Sequence, residues 1–324
     1  MDWQQLGRAL AFYGRFAASF TQPGYRTRRL RWPRLAPDFR GQRWLVTGGS
    51  GGLGAWIATE AARAGARVTV AARSASKLET LRSAARAAGI DGIDAETCDF
   101  SLQADTARLL GRLRDAGRPL DVLVNNVGVL EDELRVTTEG REATFVSNLL
   151  SHYQLTEGLV RHGLLRQPGG LVINMSSGGA YFVPLAIAAL DVTDPARFDG
   201  TTAYALHKRA QLVLNRYWRD TYGPRGLDFY VMHPGWVDTP GVQRSLPRFR
   251  ALLRPLLRDA ASGGDTALWL AATRPPQALP DGLWFDRALR PAHVHERTSA
   301  GAPAPPALVA YLEQALDRLP GSRY

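Results

Sequence analysis

The stretch Arg43-Trp44-Leu45-Val46-Thr47-Gly48-Gly49-Ser50-Gly51-Gly52-Leu53-Gly54-Ala55 decides the fold. Trp44-Leu45-Val46 reads as a short strand, and Gly54 to Ala64 as a helix that Gly65 closes. A glycine-rich turn from strand to helix lets backbone approach a pyrophosphate and points the positive helix end at its charge. A mobile surface loop could have the same composition, but the strand–loop–helix context favours the nucleotide reading.

Outward from this turn, short apolar runs alternate with helical patterns. Strands are expected at residues 67–71, near Glu96-Thr97-Cys98, and at 120–124, 171–174, 227–231 and 283–285. Apolar strands separated by helices predict an α/β fold, a doubly wound Rossmann sheet of about seven parallel strands covered on both faces. Three regions are expected. Residues 1–40 form a basic extension and linker, 41–290 the catalytic domain, and 291–324 an Ala/Pro-rich segment with a last helix over 308–319.

In the extension, Trp3, Leu6, Leu10, Tyr13, Ala17 and Phe20 recur at helical steps. An amphipathic helix is expected there, packed on its own domain or on a partner subunit, or lying on a membrane surface. Residues 21–42 read as a linker. The apolar run is broken by Arg8 and Arg15, unlike a secretory signal, and the longest apolar stretch, 180–190, is too short to span a bilayer.

The net charge is +10, yet no zinc-finger, homeodomain or RNP pattern accompanies it, so nucleic acid is not an expected partner. Cys98 is the single cysteine, which rules out an internal disulfide and a cysteine-rich metal site; no metal is expected. A cytoplasmic chain, with membrane association through the N-terminal helix left open, is the reading that follows. Only two of the 40 basic residues are lysines, Lys77 and Lys208, so a lysine where chemistry needs one carries weight.

Tyr204 and Lys208 stand at i, i+4 in a helical pattern and so share one face. A phenol titrates near pH ~10, and a cation ~6 Å away at an effective dielectric of ~20 is worth about 2.8 kcal/mol, or roughly two pKa units. That would let Tyr204 pass a proton near neutral pH. Ser176 and Ser177 end a strand at the carboxyl edge, where a hydroxyl can bond a developing alkoxide; the alternative is a simple turn or helix-cap serine. Arg73 stands where NAD enzymes carry a ribose-binding carboxylate, and its guanidinium suits a 2′-phosphate, which favours NADP(H) over NAD(H).

Taken in order, Thr47-Gly48 to Gly54, Asn125-Asn126-Val127-Gly128, Asn148, Ser176-Ser177, Tyr204 with Lys208, and Pro234-Gly235 resemble the short-chain dehydrogenase/reductase family over residues 41–290. The resemblance implies that Gly48, Ser50, Gly51, Gly52, Leu53 and Gly54 line the pyrophosphate. Asp99 and Phe100 would meet the adenine, with Asn125 beside them. Asn148 would support a relay water, Ser177 polarise the carbonyl, Tyr204 act as acid/base, and Lys208 hold the nicotinamide ribose and lower the tyrosine pKa. Pro234, Gly235, Val237 and Thr239 would border the nicotinamide. The family also implies a homo-oligomer. Two departures stand out. Val127 replaces the usual alanine, and the 27-residue step from Ser177 to Tyr204 resembles the longer gap of the retinol-dehydrogenase-like branch, leaving Ser176 and Ser177 both open. Gly51 also satisfies the glycine pattern of the epimerase branch, against which Asn125-Asn126 speaks.

Tyr181 to Leu185, Trp236-Val237 and Pro240 are apolar, so the expected substrate is a small apolar carbonyl or alcohol. A nucleotide-sensing or scaffold protein without turnover is the competing class.

Overall fold

The computed structural model describes residues 16, 18–181, 183–245, 247–293, 298 and 304–317, apart from the side chains at 244 and 248. Eight strands form one sheet in the order β3-β2-β1-β4-β5-β6-β7-β8. They are β1 (Arg43–Thr47), β2 (Arg67–Ala72), β3 (Ile93–Thr97), β4 (Val122–Asn125), β5 (Leu171–Met175), β6 (Asp228–Met232), β7 (Gly282–Phe285) and β8 (Ala288–Pro291). The first seven are parallel, and β8 returns antiparallel on β7. The expected parallel sheet is therefore right for seven strands and one strand short.

Helices cover both faces, which is why strands such as β4 and β5 are buried throughout. On one face lie α2 (Gly52–Arg63), α3 (Ala75–Ala87) and α10 (Ala260–Thr273), packed through Ile57, Leu78 and Leu270. The other face carries α4 (Gln103–Ala116), α6 (Ser151–Arg161), α7 (Gly200–Tyr222) and the C-terminal α11 (Pro305–Asp317). Leu308, Leu312 and Leu316 of α11 are fully buried against that layer. Arg141 adds polar anchors, donating to Ala315 O at 2.8 Å and to Asp191 at 2.6 Å.

Helix starts follow local chemistry. Asp199 accepts from Thr202 N at 2.7 Å to open α7, and Asp259 accepts from Ser262 N at 2.7 Å to open α10. Glu142 caps the short α5 (Ala143–Phe145), which runs into a π-helical turn, Val146–Leu150, before α6.

The segment read as a linker is structured. It holds a helix, α1 (Gln22–Arg29), with Pro23 in its first turn, where the missing N–H costs nothing. Tyr25 and Phe39 are buried, so 21–42 is docked chain. Of the amphipathic helix expected over 3–20, Phe16 and residues 18–20 are helical and the rest lies outside the described residues. The last helix spans 305–317 among the described residues, earlier than expected. No described helix is long and apolar enough to cross a membrane.

Candidate active site

Strand order reverses between β1 and β4, and open α/β sheets bind their ligands at such a switch point, in the crevice at the carboxyl ends of the strands. The loop after β1 is fixed by Thr47. Its hydroxyl accepts from Asn126 N at 3.0 Å and Val127 N at 3.1 Å, while Asn126 Nδ2 donates to Thr47 O at 2.8 Å. Gly48 has φ +63°, and a Cβ there would come 2.9 Å from Val127 Cα. Gly54 is equally constrained, since a Cβ would lie 2.5 Å from Asn126 Nδ2. By contrast, nothing lies within 4 Å of a Cβ built on Gly51, so the space in front of the α2 N-terminus is open. A free helix N-terminus behind an open glycine turn suits a pyrophosphate. Ser50, Gly52 and Leu53 are partly exposed on the same turn.

Arg73 follows β2 and is mostly exposed, 4.0 Å from Asp99. The Asp99 carboxylate accepts from Ser101 N and Oγ at 3.0 and 2.7 Å. Two residues behave differently from expectation. The Phe100 side chain is buried in the core, leaving only its backbone to meet a nucleotide. Asn125 is fully buried, donating to Thr156 Oγ1 at 3.0 Å and Asn174 Oδ1 at 2.9 Å, so its side chain ties β4 to β5 and α6. Asn126 is the member of the pair that shapes the crevice.

Past β6, Pro234 and Gly235 turn the chain, with Gly235 at φ +78°. Val237 is buried and pairs with Arg258. Thr239 and Pro240 lie across from Gly52, 3.6 and 3.5 Å from a Cβ built there. Helix α8 (Pro240–Ser245), with α9 (Pro247–Leu253) after it, follows, and Ser245 Oγ donates to Leu130 O in the loop after β4 at 2.6 Å.

At the carboxyl end of β5, the Ser177 hydroxyl acts on the Tyr204 phenol and lowers its pKa. Ser176 is turned away, donating to Lys208 O at 3.0 Å inside the core. Of the two serines, Ser177 is the one that acts on Tyr204. Lys208 is 2 % exposed. Its Nζ stands 5.6 Å from the Tyr204 ring centroid and donates to Met175 O at 2.8 Å.

Burial dominates the electrostatics of this pair. It pushes Lys208 down from 10.5 to about 7. The expected lowering of the Tyr204 pKa is not met in the chain itself: burial raises the phenol, and the Ser177 hydrogen bond opposes it. Desolvation penalises whichever form is charged, so both groups move toward neutrality.

Asn148 lies in the π turn. Its side chain accepts from Val129 N and donates to Val129 O, both at 2.7 Å. Its own carbonyl accepts from Gln211 Nε2 at 2.6 Å, and Gln211 also meets His152 Nδ1 at 3.1 Å. His152 Nε2 in turn lies 3.0 Å from Val127 O, and burial with Lys208 nearby lowers its pKa to about 3. Gln211 and His152 were not read from sequence as site residues. Their one signal is spacing, since Gln211 is three residues past Lys208 and His152 four past Asn148. Among the described residues no cluster could hold a metal ion.

Residues 42–248 match the family model described as short chain dehydrogenase. The chain belongs to the short-chain dehydrogenases. These are NAD(P)-binding oxidoreductases. Among relatives, dehydrogenase/reductase SDR family member 12 from Bos taurus is 34% identical over 307 residues, 92% of this chain and 94% of that one. Among solved structures, an uncharacterized protein from Mycobacterium Paratuberculosis aligns with a TM-score of 0.66 at 25% identity, covering 86% of this chain and 94% of that chain. A short chain dehydrogenase from Burkholderia cenocepacia J2315, solved in complex with NADP, gives 0.58 at 25% identity over 72% and 91%.

Of the apolar residues expected to flank the nicotinamide, Tyr181 and Leu185 are buried, whereas Val183, Pro184, Trp236 and Pro240 keep exposed surface.

Proposed function

We propose that this chain is an NADP(H)-dependent reductase or dehydrogenase of a small apolar carbonyl or alcohol, with Tyr204 as its acid/base. The observation that carries the reading is the convergence of Ser177, Tyr204 and buried Lys208 at the carboxyl end of β5. The glycine turn from Gly48 to Gly54 would hold the pyrophosphate. Asp99 and the Phe100 backbone would face the adenosine, and Pro234, Gly235, Val237 and Thr239 the nicotinamide end. When bound, the nicotinamide supplies or accepts the hydride.

In the reductive direction the Ser177 hydroxyl donates to the carbonyl oxygen as negative charge gathers there. Tyr204 gives its phenolic proton to that oxygen. The phenolate so formed is opposed by burial and favoured by the Ser177 hydroxyl, and Lys208, 5.6 Å from the ring, would favour it further whenever it carries its proton. Asn148, held by both Val129 backbone groups, would keep the π turn and any relay water behind Lys208 in register. Val183, Pro184, Trp236 and Pro240 favour an apolar substrate. Arg73, exposed beside Asp99, favours a 2′-phosphate, as does the NADP complex of the Burkholderia relative. A homo-oligomer and a membrane contact of the N-terminal helix also belong to the reading.

The test is loss of 340 nm absorbance with NADPH and with NADH across apolar aldehydes and ketones, in the native chain and in Arg73→Asp. Turnover that prefers NADPH is expected. The variant should lose about 10- to 100-fold of NADPH kcat/KM while NADH is retained, the scale of one charge-assisted phosphate contact. Binding of NADPH without turnover on any carbonyl would instead favour a nucleotide-sensing protein.

A further inference from the structure

Phe20 lies just before α1, outside the dinucleotide fold, and is 2 % exposed. Its ring backs the loop that carries Ser177: a Cβ built on Gly178 would stand 2.7 Å from Phe20 Cε2. The same ring meets Trp236 edge-on at 5.8 Å and His233 at 4.6 Å between centroids. Phe16 stacks on Phe20 at 4.7 Å and on Tyr181 at 6.1 Å. One aromatic group therefore touches both loops that border the reacting end of the crevice.

The backbone repeats the connection. Phe20 O accepts from Trp236 N and from Arg258 Nε, each at 2.9 Å. Arg258 is buried, and all of its guanidinium N–H groups are used. Besides Phe20 O it donates to Pro234 O at 3.1 Å, to Ser19 O at 3.0 Å, and to both oxygens of Asp286 at 2.6 and 2.9 Å. Arg28 of α1 reaches the same Asp286 at 2.7 Å through Nε. A buried ion pair adds little net stability, because desolvation offsets its attraction, but it holds its partners in one geometry when every donor is satisfied. Here the partners are the N-terminal segment, the Pro234–Gly235 turn and the corner after β7.

We propose that Phe16 and residues 18–28 are a working part of the active site, in which Phe20 is a positioning residue that sets the Ser177–Gly178 loop against the Pro234–Trp236 turn. The proposal rests on the assignment of Ser177 and Tyr204 made above. Gly178 has no side chain with which to fill the space behind Ser177, so the ring supplies that wall. Removing it frees Ser177 to drift from Tyr204 and from a substrate oxygen. Misplacement of a reacting group by about 1 Å can cost about 10²-fold in rate.

The experiment compares the full chain with Phe20→Ala and Phe20→Leu. It reads steady-state reduction, NADPH binding by fluorescence quenching, and hydrogen exchange at 177–181 and 233–238. Phe20→Ala should lower kcat by about 10- to 100-fold while NADPH affinity stays within about threefold, and Phe20→Leu should recover most of the loss. Exchange should quicken in the two loops and stay unchanged in β1 and β4. An unchanged kcat in Phe20→Ala overturns the proposal. So does an equal loss of rate and cofactor affinity with faster exchange through the sheet, which marks a merely structural ring. If Phe20→Ala does not fold, Phe20→Leu decides: a several-fold fall in kcat at unchanged NADPH affinity supports the proposal, and a native rate overturns it. If the native chain turns over no carbonyl, the functional reading fails on its own. The exchange data then stand alone, with faster exchange confined to the two loops in support and unchanged exchange against.

Discussion

Replacing Lys208 with methionine should stabilise the protein at neutral pH and abolish its activity. Lys208 is 2 % exposed, and burial lowers its pKa from 10.5 to about 7. At about 1.36 kcal/mol per pKa unit, a charged Lys208 costs the fold on the order of 4 kcal/mol at pH 7. The sign follows from proton binding. Between pH 7 and 10.5 the unfolded chain holds this proton and the folded chain has released it, so Lys208 makes stability rise with pH across that window. Methionine removes the penalty but gives up the bond to Met175 O, a loss of about 1–3 kcal/mol if that carbonyl is left unpaired. The net gain for Lys208→Met at pH 7 is about 1–3 kcal/mol, shrinking and then reversing toward pH 10.5. Urea unfolding of both proteins from pH 6 to 10 measures the difference. A variant that is less stable at pH 7, with the same pH slope as the native chain, would refute the reasoning.

Two further outcomes follow from packing. Gly54→Ala brings a Cβ to 2.5 Å from Asn126 Nδ2 and 2.8 Å from Gly49 Cα; it should cost about 1–3 kcal/mol in thermal unfolding and weaken NADPH binding, because the neighbours are backbone and a pinned amide. Leu312→Ala empties a fully buried site on α11 and should cost about 2–5 kcal/mol with NADPH affinity unchanged, measured by urea unfolding and fluorescence quenching.

The nucleotide half of the fold was legible because each of its signals is local. Trp44-Leu45-Val46, the glycine turn and Gly65 lie within one strand–turn–helix unit. β3 was placed late because it is an edge strand whose Asp94 and Glu96 break the apolar run that marks the inner strands. β8 gave no signal at all. It is reached through Asp286-Arg287, both at positive φ (49° and 56°), where a tight hairpin normally advertises itself with Asn-Gly. What holds this turn is remote: Arg287 pairs with Asp265 and lies over Trp32 at 4.7 Å. The helix α1 was hidden for the same reason. Its Pro/Arg composition reads as linker, and its docking depends on Asp286, 258 residues beyond Arg28. At the site, Tyr204 and Lys208 were visible from their spacing, and the structure brings Ser177 to them. Asn125 was read as the cofactor-side member of its pair, yet its side chain is buried and Asn126 holds the glycine turn, because adjacent strand residues face opposite ways and the sequence does not say which faces which side.

The central claim is that Tyr204 moves the proton, and Tyr204→Phe tests it most directly. The variant keeps the ring over which Lys208 lies and removes only the hydroxyl that Ser177 binds. NADPH binding, followed by fluorescence quenching, should be unchanged, while reduction of an apolar ketone falls by about 10²- to 10⁴-fold at pH 7. Native turnover in Tyr204→Phe, or a loss of rate matched by an equal loss of NADPH affinity, would contradict the account.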